Sequence, residues 1–336
     1  MSAALLMLIL VVVTALVFDY INGFHDAANA VATVVSTGVL PLRTAILMAA
    51  LLNFLGALGG TAVASTIGKG LVATGEVTQS VVLSALLGAI AWNLFTWYFG
   101  IPSSSSHALV GGLVGAGLAR AGIRAIQIEG LFKIVQSLIV SPLVGFALGF
   151  LLMIAIFWAC RRGRPSRLTP LFRRLQVVSA GFMALSHGSN DAQKTMGIIT
   201  MSLVAYGALD VESGRFVVPT WVILSCAVAM GLGTMAGGVR IIKTMGTKII
   251  DLKPIHGFAA ETGAAITILS ASHMGLPVST THVITGSIMG VGASQRVSAV
   301  RWGVTARILW AWVLTIPISA AVSWCCYGLV RLTIGP

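Results

Sequence analysis

Long, nearly continuous apolar runs fill this chain, and polar residues interrupt them at a few places only. A run of about 20 apolar residues crosses a bilayer as a helix. Ten such elements are predicted. In the first half they cover roughly 3–38, 42–66, 79–99, 103–119 and 131–160, and in the second 174–207, 217–239, 255–274, 279–294 and 303–333. The runs are continuous rather than alternating, which argues against a transmembrane β-barrel. The expected fold is an all-α polytopic membrane protein. Elements 3–38 and 174–207 are too long for one straight span, and each carries a polar interruption rich in Gly or Asn that is expected to break it. Elements 103–119 and 279–294 are short and Gly-rich, and either span or re-enter. Broken or short segments at matching positions of two halves point to a transporter binding site.

The pattern repeats. A shift of 175 residues carries Pro102 onto Pro277, Ser104 onto Ser279 and His107 onto His282. The same shift carries Gly111, Gly115 and Gly117 onto Gly286, Gly290 and Gly292, and Pro142 onto Pro317. A weaker match at a shift of 165 places Gly23-Phe-His-Asp26 on Gly188-Ser-Asn-Asp191. The expected organisation is a membrane repeat over 1–160, a basic linker over 161–174 with six arginines, and a second repeat over 175–336. Five elements per half would make the copies antiparallel, that is, inverted.

Composition narrows the class. Of 336 residues 57% are hydrophobic and 9% charged, against about 25% charged in soluble domains. The net charge of +12 follows from Lys and Arg in short loops, and no aromatic-basic module accompanies it, so nucleic acid is not an expected partner. With 161–174 cytoplasmic, that side holds Arg43, the six central arginines, Arg240, Lys243, Lys248, Lys253, Arg296, Arg301 and Arg307. The outside then holds Lys69, Arg120, Arg124, Lys133, Arg215 and Arg331. This bias predicts a multi-pass protein of the inner (plasma) membrane with both termini outside. The first 18 residues lack Lys and Arg, which fits a membrane helix better than a secretory signal. Cys160, Cys226, Cys325 and Cys326 have no ligand-like spacing.

Two constellations carry candidate chemistry. In Ile101-Pro-Ser-Ser-Ser-Ser-His107 and Leu276-Pro-Val-Ser-Thr-Thr-His282 a run of hydroxyls opens a helix. Free N–H groups and the helix dipole favour an anion there, and two such ends meeting would cradle a small oxyanion. The alternative is ordinary capping and back-bonding. His107 and His282 either bond across the site or only to backbone. The second constellation is Asn22-Gly-Phe-His-Asp26-Ala-Ala-Asn29 and Ser186-His-Gly-Ser-Asn190-Asp191-Ala-Gln193-Lys194. Buried carboxylates are rare in membranes and functional by default, and Asp and Asn oxygens suit a hard cation, with Na⁺ at Asp26 and Asn29 the metal candidate. Asp26 and Asp191 could equally cap helices. Glu261 is an acid in an apolar helix that pairs with Lys194 or carries a proton, and Asp19 is expected near the membrane interface. An enzyme is disfavoured. Ser106 and His107 are adjacent, which is poor geometry for a nucleophile and its base, and no hydrolase elbow, zinc motif or nucleotide loop occurs. No cofactor is expected.

These residues carry a resemblance. The chain resembles the PiT family of inorganic phosphate transporters in Gly23-Phe-His-Asp-Ala-Ala-Asn-Ala30, Gly188-Ser-Asn-Asp-Ala-Gln-Lys-Thr195 and both Pro-x-Ser-Ser/Thr-Ser/Thr-His segments. Trp92-Asn-Leu-Phe-Thr-Trp-Tyr-Phe-Gly-Ile-Pro-Ser-Ser-Ser-Ser-His107 and Asn53-Phe-Leu-Gly56 look like the bacterial low-affinity members. The long central hydrophilic loop of many relatives is absent. The resemblance implies symport of inorganic phosphate with H⁺ or Na⁺, often by a homodimer. It places phosphate contacts on Ser104, Ser105, Ser106, Ser279, Thr280 and Thr281, and cation-linked roles on Asp26, Asn29, Asn190 and Asp191. His107, His282, Gln193 and Glu261 would support the site. Sodium-coupled relatives repeat Asn where this chain has Lys194, and an ammonium cannot ligate Na⁺. Lys194 would stand in for one cation or contact phosphate. The expectation is therefore H⁺ coupling, or uptake of a metal–phosphate complex, with a sulfate permease as the same-fold alternative.

Overall fold

The computed structural model describes residues 2–70, 74–209 and 216–334; Arg215, assigned above to an outer loop, lies outside them. Among the described residues the chain forms twelve α-helices and no strand. They are α1 (Ala3–Ser36), α2 (Leu42–Ala57), α3 (Ala62–Gly70), α4 (Gln79–Phe99), α5 (Ser105–Ala121) and α6 (Ile128–Cys160), then α7 (Pro165–Tyr206), α8 (Thr220–Ala236), α9 (Val239–Thr247), α10 (Pro254–His273), α11 (Thr280–Gln295) and α12 (Trp302–Ile334). The fold is all-α, as the apolar runs predict. α1, α4, α5 with the turn after it, α6 and α12 are each long and apolar enough to cross a membrane. α6 and α12 turn Phe132, Leu143, Trp310 and Val313 outward, as a lipid-facing surface requires.

Three sequence expectations change. The breaks do not fall at the polar interruptions: α1 and α7 run unbroken through Asp26 and Asp191. Asp26 and Asp191 find partners on neighbouring helices, so the backbone keeps its own ladder, and neither Asp is a cap. The bends fall in the second element of each half, 71° between α2 and α3 and 72° between α8 and α9. Glycines permit them: Gly60 has φ +149° and Gly237 φ +67°, values a side chain disfavours. The basic linker is also shorter than 161–174. Pro165 opens α7 at its first turn, where a missing N–H is harmless, so Arg167, Arg173 and Arg174 ride exposed on that helix. Finally, α7 and α10 are too polar to pass as spans by composition, because they supply buried polar groups to the interior, and α11 has only 16 residues.

The two halves use matching contacts. α5 packs on α12 as α11 packs on α6, and α1 packs on α8 as α7 packs on α2. Repeat-related glycines make the first pair of contacts close: a Cβ on Gly115 would lie 2.1 Å from Ala320 O, and one on Gly290 2.1 Å from Phe146 O. Small residues let membrane helices approach this way. Gly290→Ala is expected to cost ~1–3 kcal/mol by overpacking, measured as a lower melting temperature of the detergent-solubilised protein.

Two apolar cores result. α1 enters the first through Phe18 and the second through Ala28, with the polar stretch from Asp19 to Asp26 in between. α7 passes them in the opposite order, Ala184 in the second core and Ala192 in the first, with Ser186 to Asp191 in between. The polar interruptions therefore lie at the boundary of the two cores.

Candidate functional site

Each hydroxyl segment follows a helix that a glycine terminates. Gly100 (φ +65°) ends α4 and Gly275 (φ +67°) follows α10. Extended backbone then leads into α5 and α11. Ser104 and Ser279 are their N-caps, accepting from His107 N at 3.1 Å and His282 N at 3.2 Å. Capping is thus right for these two of the six predicted hydroxyls. The other four serve a different network.

Ser105 donates to Asp26 Oδ2 at 3.4 Å. Ser106 donates to Val278 O at 3.2 Å, across to the other half. Asn29 Nδ2 reaches the hydroxyls of Thr280 (3.2 Å) and Thr281 (3.0 Å), and Thr280 donates to Asp191 Oδ2 at 3.0 Å. Lys194 ties both segments together, donating to Ser106 Oγ at 2.5 Å, Asp191 Oδ1 at 2.5 Å and Val278 O at 2.8 Å. All of these residues are buried, none more than 5% exposed. Asn29, Ser106, Asp191, Lys194, Thr280 and Thr281, of which Asn29 and Thr280 are 251 residues apart in sequence, so meet in one network spanning both halves, with the Ser105–Asp26 pair within 4.8 Å of it at Asp191.

Other predicted residues stand further back. Asn190 uses the two ends of its amide on the end of α10 and on the stretch that follows it: Nδ2 donates to Ser272 Oγ (2.9 Å) and Oδ1 accepts from Val278 N (3.3 Å). Gln193 Oε1 accepts from Val63 N at 2.8 Å, satisfying the start of α3 after its bend. His107 and His282 meet across the halves with centroids 4.4 Å apart, and His282 stacks on Trp312 at 3.7 Å. Glu261 does not pair with Lys194. It accepts from the hydroxyls of Thr33 and Ser179 and from Gln176 Nε2, because α10 packs on α7 at that level. Nor is Asp19 interfacial: it is fully buried and accepts from Thr195 Oγ1 at 2.9 Å.

Two histidines escape the sequence reading. His25 Nδ1 lies 2.6 Å from Asp26 Oδ1, and its Nε2 lies 3.0 Å from Thr96 Oγ1. Thr96 donates to Trp92 O and accepts from Ser103 Oγ. Ser103 Oγ also lies 3.4 Å from His25 Nε2, so a hydroxyl can donate to a bare Nε2 or accept from a protonated one. In the first case the ring hydrogen sits on Nδ1 and donates to the Asp26 carboxylate; in the second the pair shares a further proton. His187 repeats the device. Its Nδ1 meets Asn53 Oδ1 at 3.0 Å, since Asn53 Nδ2 is committed to Thr234. Its Nε2 lies 3.2 Å from Asp191 Oδ2, within ion-pair distance though off hydrogen-bond alignment. The signal was present: His25 sits inside the first motif and His187 next to the second. Under the 165-residue shift, however, His25 falls on Asn190 and His187 on Asn22, so a search for identical pairs passes over them.

The donor chemistry separates the halves. Asp26, His187 and Asp191 each offer a ligand atom within 4.8 Å of the others. Asn29 Oδ1 is buried without a partner while its Nδ2 takes the two threonine hydroxyls, so the first half offers a hard cation that amide oxygen and the Asp26 carboxylate three residues earlier on the same helix. Near Asp191 the Lys194 ammonium already holds a positive charge.

Known proteins resemble this chain along most of its length. The profile of the phosphate transporter family matches residues 22–168 and 161–323. A probable low-affinity inorganic phosphate transporter of Rhizobium meliloti (strain 1021) is 52% identical over 322 residues, 96% of each chain. One of the same description from Bacillus subtilis (strain 168) is 50% identical over 335 residues, 99% of each. Among solved structures, a sodium-dependent phosphate transporter aligns with a TM-score of 0.87 at 27% identity, covering 97% of this chain and 99% of that one. Matched by the family profile along most of its length and by full-length relatives at 50–52% identity, the chain belongs to the phosphate transporter family.

Proposed function

We propose that the chain is a secondary symporter that imports inorganic phosphate coupled to a cation gradient, with H⁺ favoured over Na⁺. The observation that carries this reading is Lys194, whose ammonium joins the hydroxyl segments of both halves and Asp191 at 2.5–2.8 Å. Helix N-termini, hydroxyls and one buried cation form a set that an oxyanion suits. The relatives named above are described as phosphate transporters, and phosphate, unlike sulfate, can donate a hydrogen bond to Asp26 or Asp191. Each of these carboxylates has an imidazole beside it, which provides one proton-binding dyad per half. The opposite order in which α1 and α7 pass the two cores supports inverted halves, rocking about this layer in alternating access. The plasma membrane, with both termini outside, is the location this reading assigns.

Na⁺ is the second reading, favoured by the unpartnered Asn29 Oδ1 beside Asp26. Phosphate uptake into proteoliposomes under separate pH and Na⁺ gradients decides between them. Uptake that needs Na⁺ and ignores the pH gradient sinks H⁺ coupling, and stronger competition by sulfate than by arsenate sinks phosphate as the substrate.

The hydroxyls divide into two classes with different expected defects. Ser104→Ala removes a cap and should cost ~1 kcal/mol of stability with modest loss of affinity. Ser106→Ala removes a partner of Lys194, and should weaken phosphate binding by about ten- to a hundredfold, as for hydrogen bonds to charged groups. Equilibrium binding and melting curves of both variants test the division. Outright loss in one hydroxyl variant, rather than graded losses across them, would instead favour a hydrolytic nucleophile.

A further inference from the structure

The connector that leads to Ser104 forms part of a second polar feature. Beneath it lies a cavity of about 530 Å³, bounded by Phe95 and Phe99 of α4, Pro102 of the connector, Lys248 at the end of α9, and Arg307 and Ile308 in the first turns of α12. Among the described residues its two cations have no counter-ion. The neighbouring Asp251 pairs with Arg301 at 2.7 Å, and among the described residues no carboxylate lies within ion-pair distance of Lys248 or Arg307. α12 brings no acid in its first turn either. The opposite walls are apolar, and Phe95 and Phe99 are 50% and 59% exposed, as aromatic side chains at a membrane surface are. Charge distribution places Lys248 and Arg307 on the cytoplasmic side, where basic pockets between membrane helices hold anionic head groups.

We propose that this cavity binds a phosphate group through Lys248 and Arg307, supplied by the head group of an anionic phospholipid or by inorganic phosphate outside the hydroxyl site. The cations recognise the charge. The volume far exceeds one tetrahedral ion, given about 30 Å³ for a water, and the phenylalanine wall suits the glycerol and upper chain of a lipid. An occupant would also touch the transport machinery. Gly100 O accepts from Thr244 Oγ1 at 2.9 Å and Pro102 O from Trp312 Nε1 at 3.1 Å, so the connector that precedes Ser103 is anchored by residues of this cavity and its neighbour.

The test compares the purified full-length chain with the double variant Lys248→Gln, Arg307→Gln and with the charge-keeping Lys248→Arg, Arg307→Lys. Both residues are exposed, so folding is expected to survive. Each protein is titrated with short-chain phosphatidylglycerol, with short-chain phosphatidylcholine and with radiolabelled inorganic phosphate. Two basic groups near the surface give about a thirtyfold effect (~2 kcal/mol). The glutamine pair should therefore bind phosphatidylglycerol about thirtyfold more weakly, or lose a second, weaker class of phosphate sites, while the charge-keeping pair matches the parent. Loss for phosphatidylglycerol alone assigns the lipid, and loss of the second phosphate class assigns the free ion. Unchanged titrations for both ligands overturn the proposal. A parent lacking the tight, Ser106-dependent phosphate class would sink the transport reading while leaving this one standing.

Discussion

Lys194→Asn is expected to cut phosphate uptake in Na⁺-free medium by at least two orders of magnitude and to let Na⁺ restore part of it. The substitution copies onto the second half the residue that the 165-residue shift places there, Asn29. It removes an ammonium that contacts Asp191, Ser106 and Val278 O. Breaking a buried pair from one side costs ~3–5 kcal/mol because the remaining charge is uncompensated. That corresponds to roughly two to four decades in affinity. The asparagine also supplies a carbonyl oxygen beside Asp191, giving the second half the oxygen donors that the first already has at Asp26 and Asn29. Added Na⁺ can then neutralise Asp191. Lys194→Met is the control, since it leaves the same charge without the oxygen and should not respond to Na⁺. Equal behaviour of the two variants in Na⁺ titrations of uptake would refute the view that Lys194 occupies the place of a coupling cation.

Asp26→Asn should separate net uptake from exchange. Its carboxylate faces His25 Nδ1 at 2.6 Å and accepts from Ser105. An amide keeps the shape and can still accept from Ser105, but it cannot take up a proton beside His25. Net uptake driven by a pH gradient should therefore fall by about a hundredfold or more, the scale of losing a positioned acid–base group. Exchange of internal for external phosphate needs no net proton movement and should persist within severalfold. If the asparagine variant keeps pH-driven uptake, the first dyad is not a coupling site. If exchange is lost to the same degree, Asp26 acts in phosphate binding or folding rather than in coupling. His25→Gln should follow Asp26→Asn, because the glutamine leaves Asp26 without an imidazole.

Much of the site was legible in the chain. The Pro-Ser/Thr-His segments sit where expected, at the starts of α5 and α11. Asp26, Asn29, Asp191 and Lys194 do meet hydroxyls from those segments. What misled was local inference. A polar stretch in an apolar run reads as a helix break, yet α1 and α7 are continuous. Pairing with Lys194 is one of two roles the sequence leaves open for Glu261, because each is a rare buried charge, but each is satisfied elsewhere.

By itself the sequence determined the all-helical membrane fold, the paired hydroxyl segments, the glycines that let α5 and α11 lie close to α12 and α6, and the unequal pair Asn29 and Lys194. These follow from composition, periodicity and a repeat, all readable along one dimension. Only the tertiary structure decided where the bends fall, that His25 and His187 each stand against a carboxylate, and that Ser104 and Ser279 cap while their neighbours reach the network. Those outcomes depend on which buried polar atom finds which partner. In an interior without water an unpaired polar atom is costly, and the partners are supplied by helices far apart in the chain.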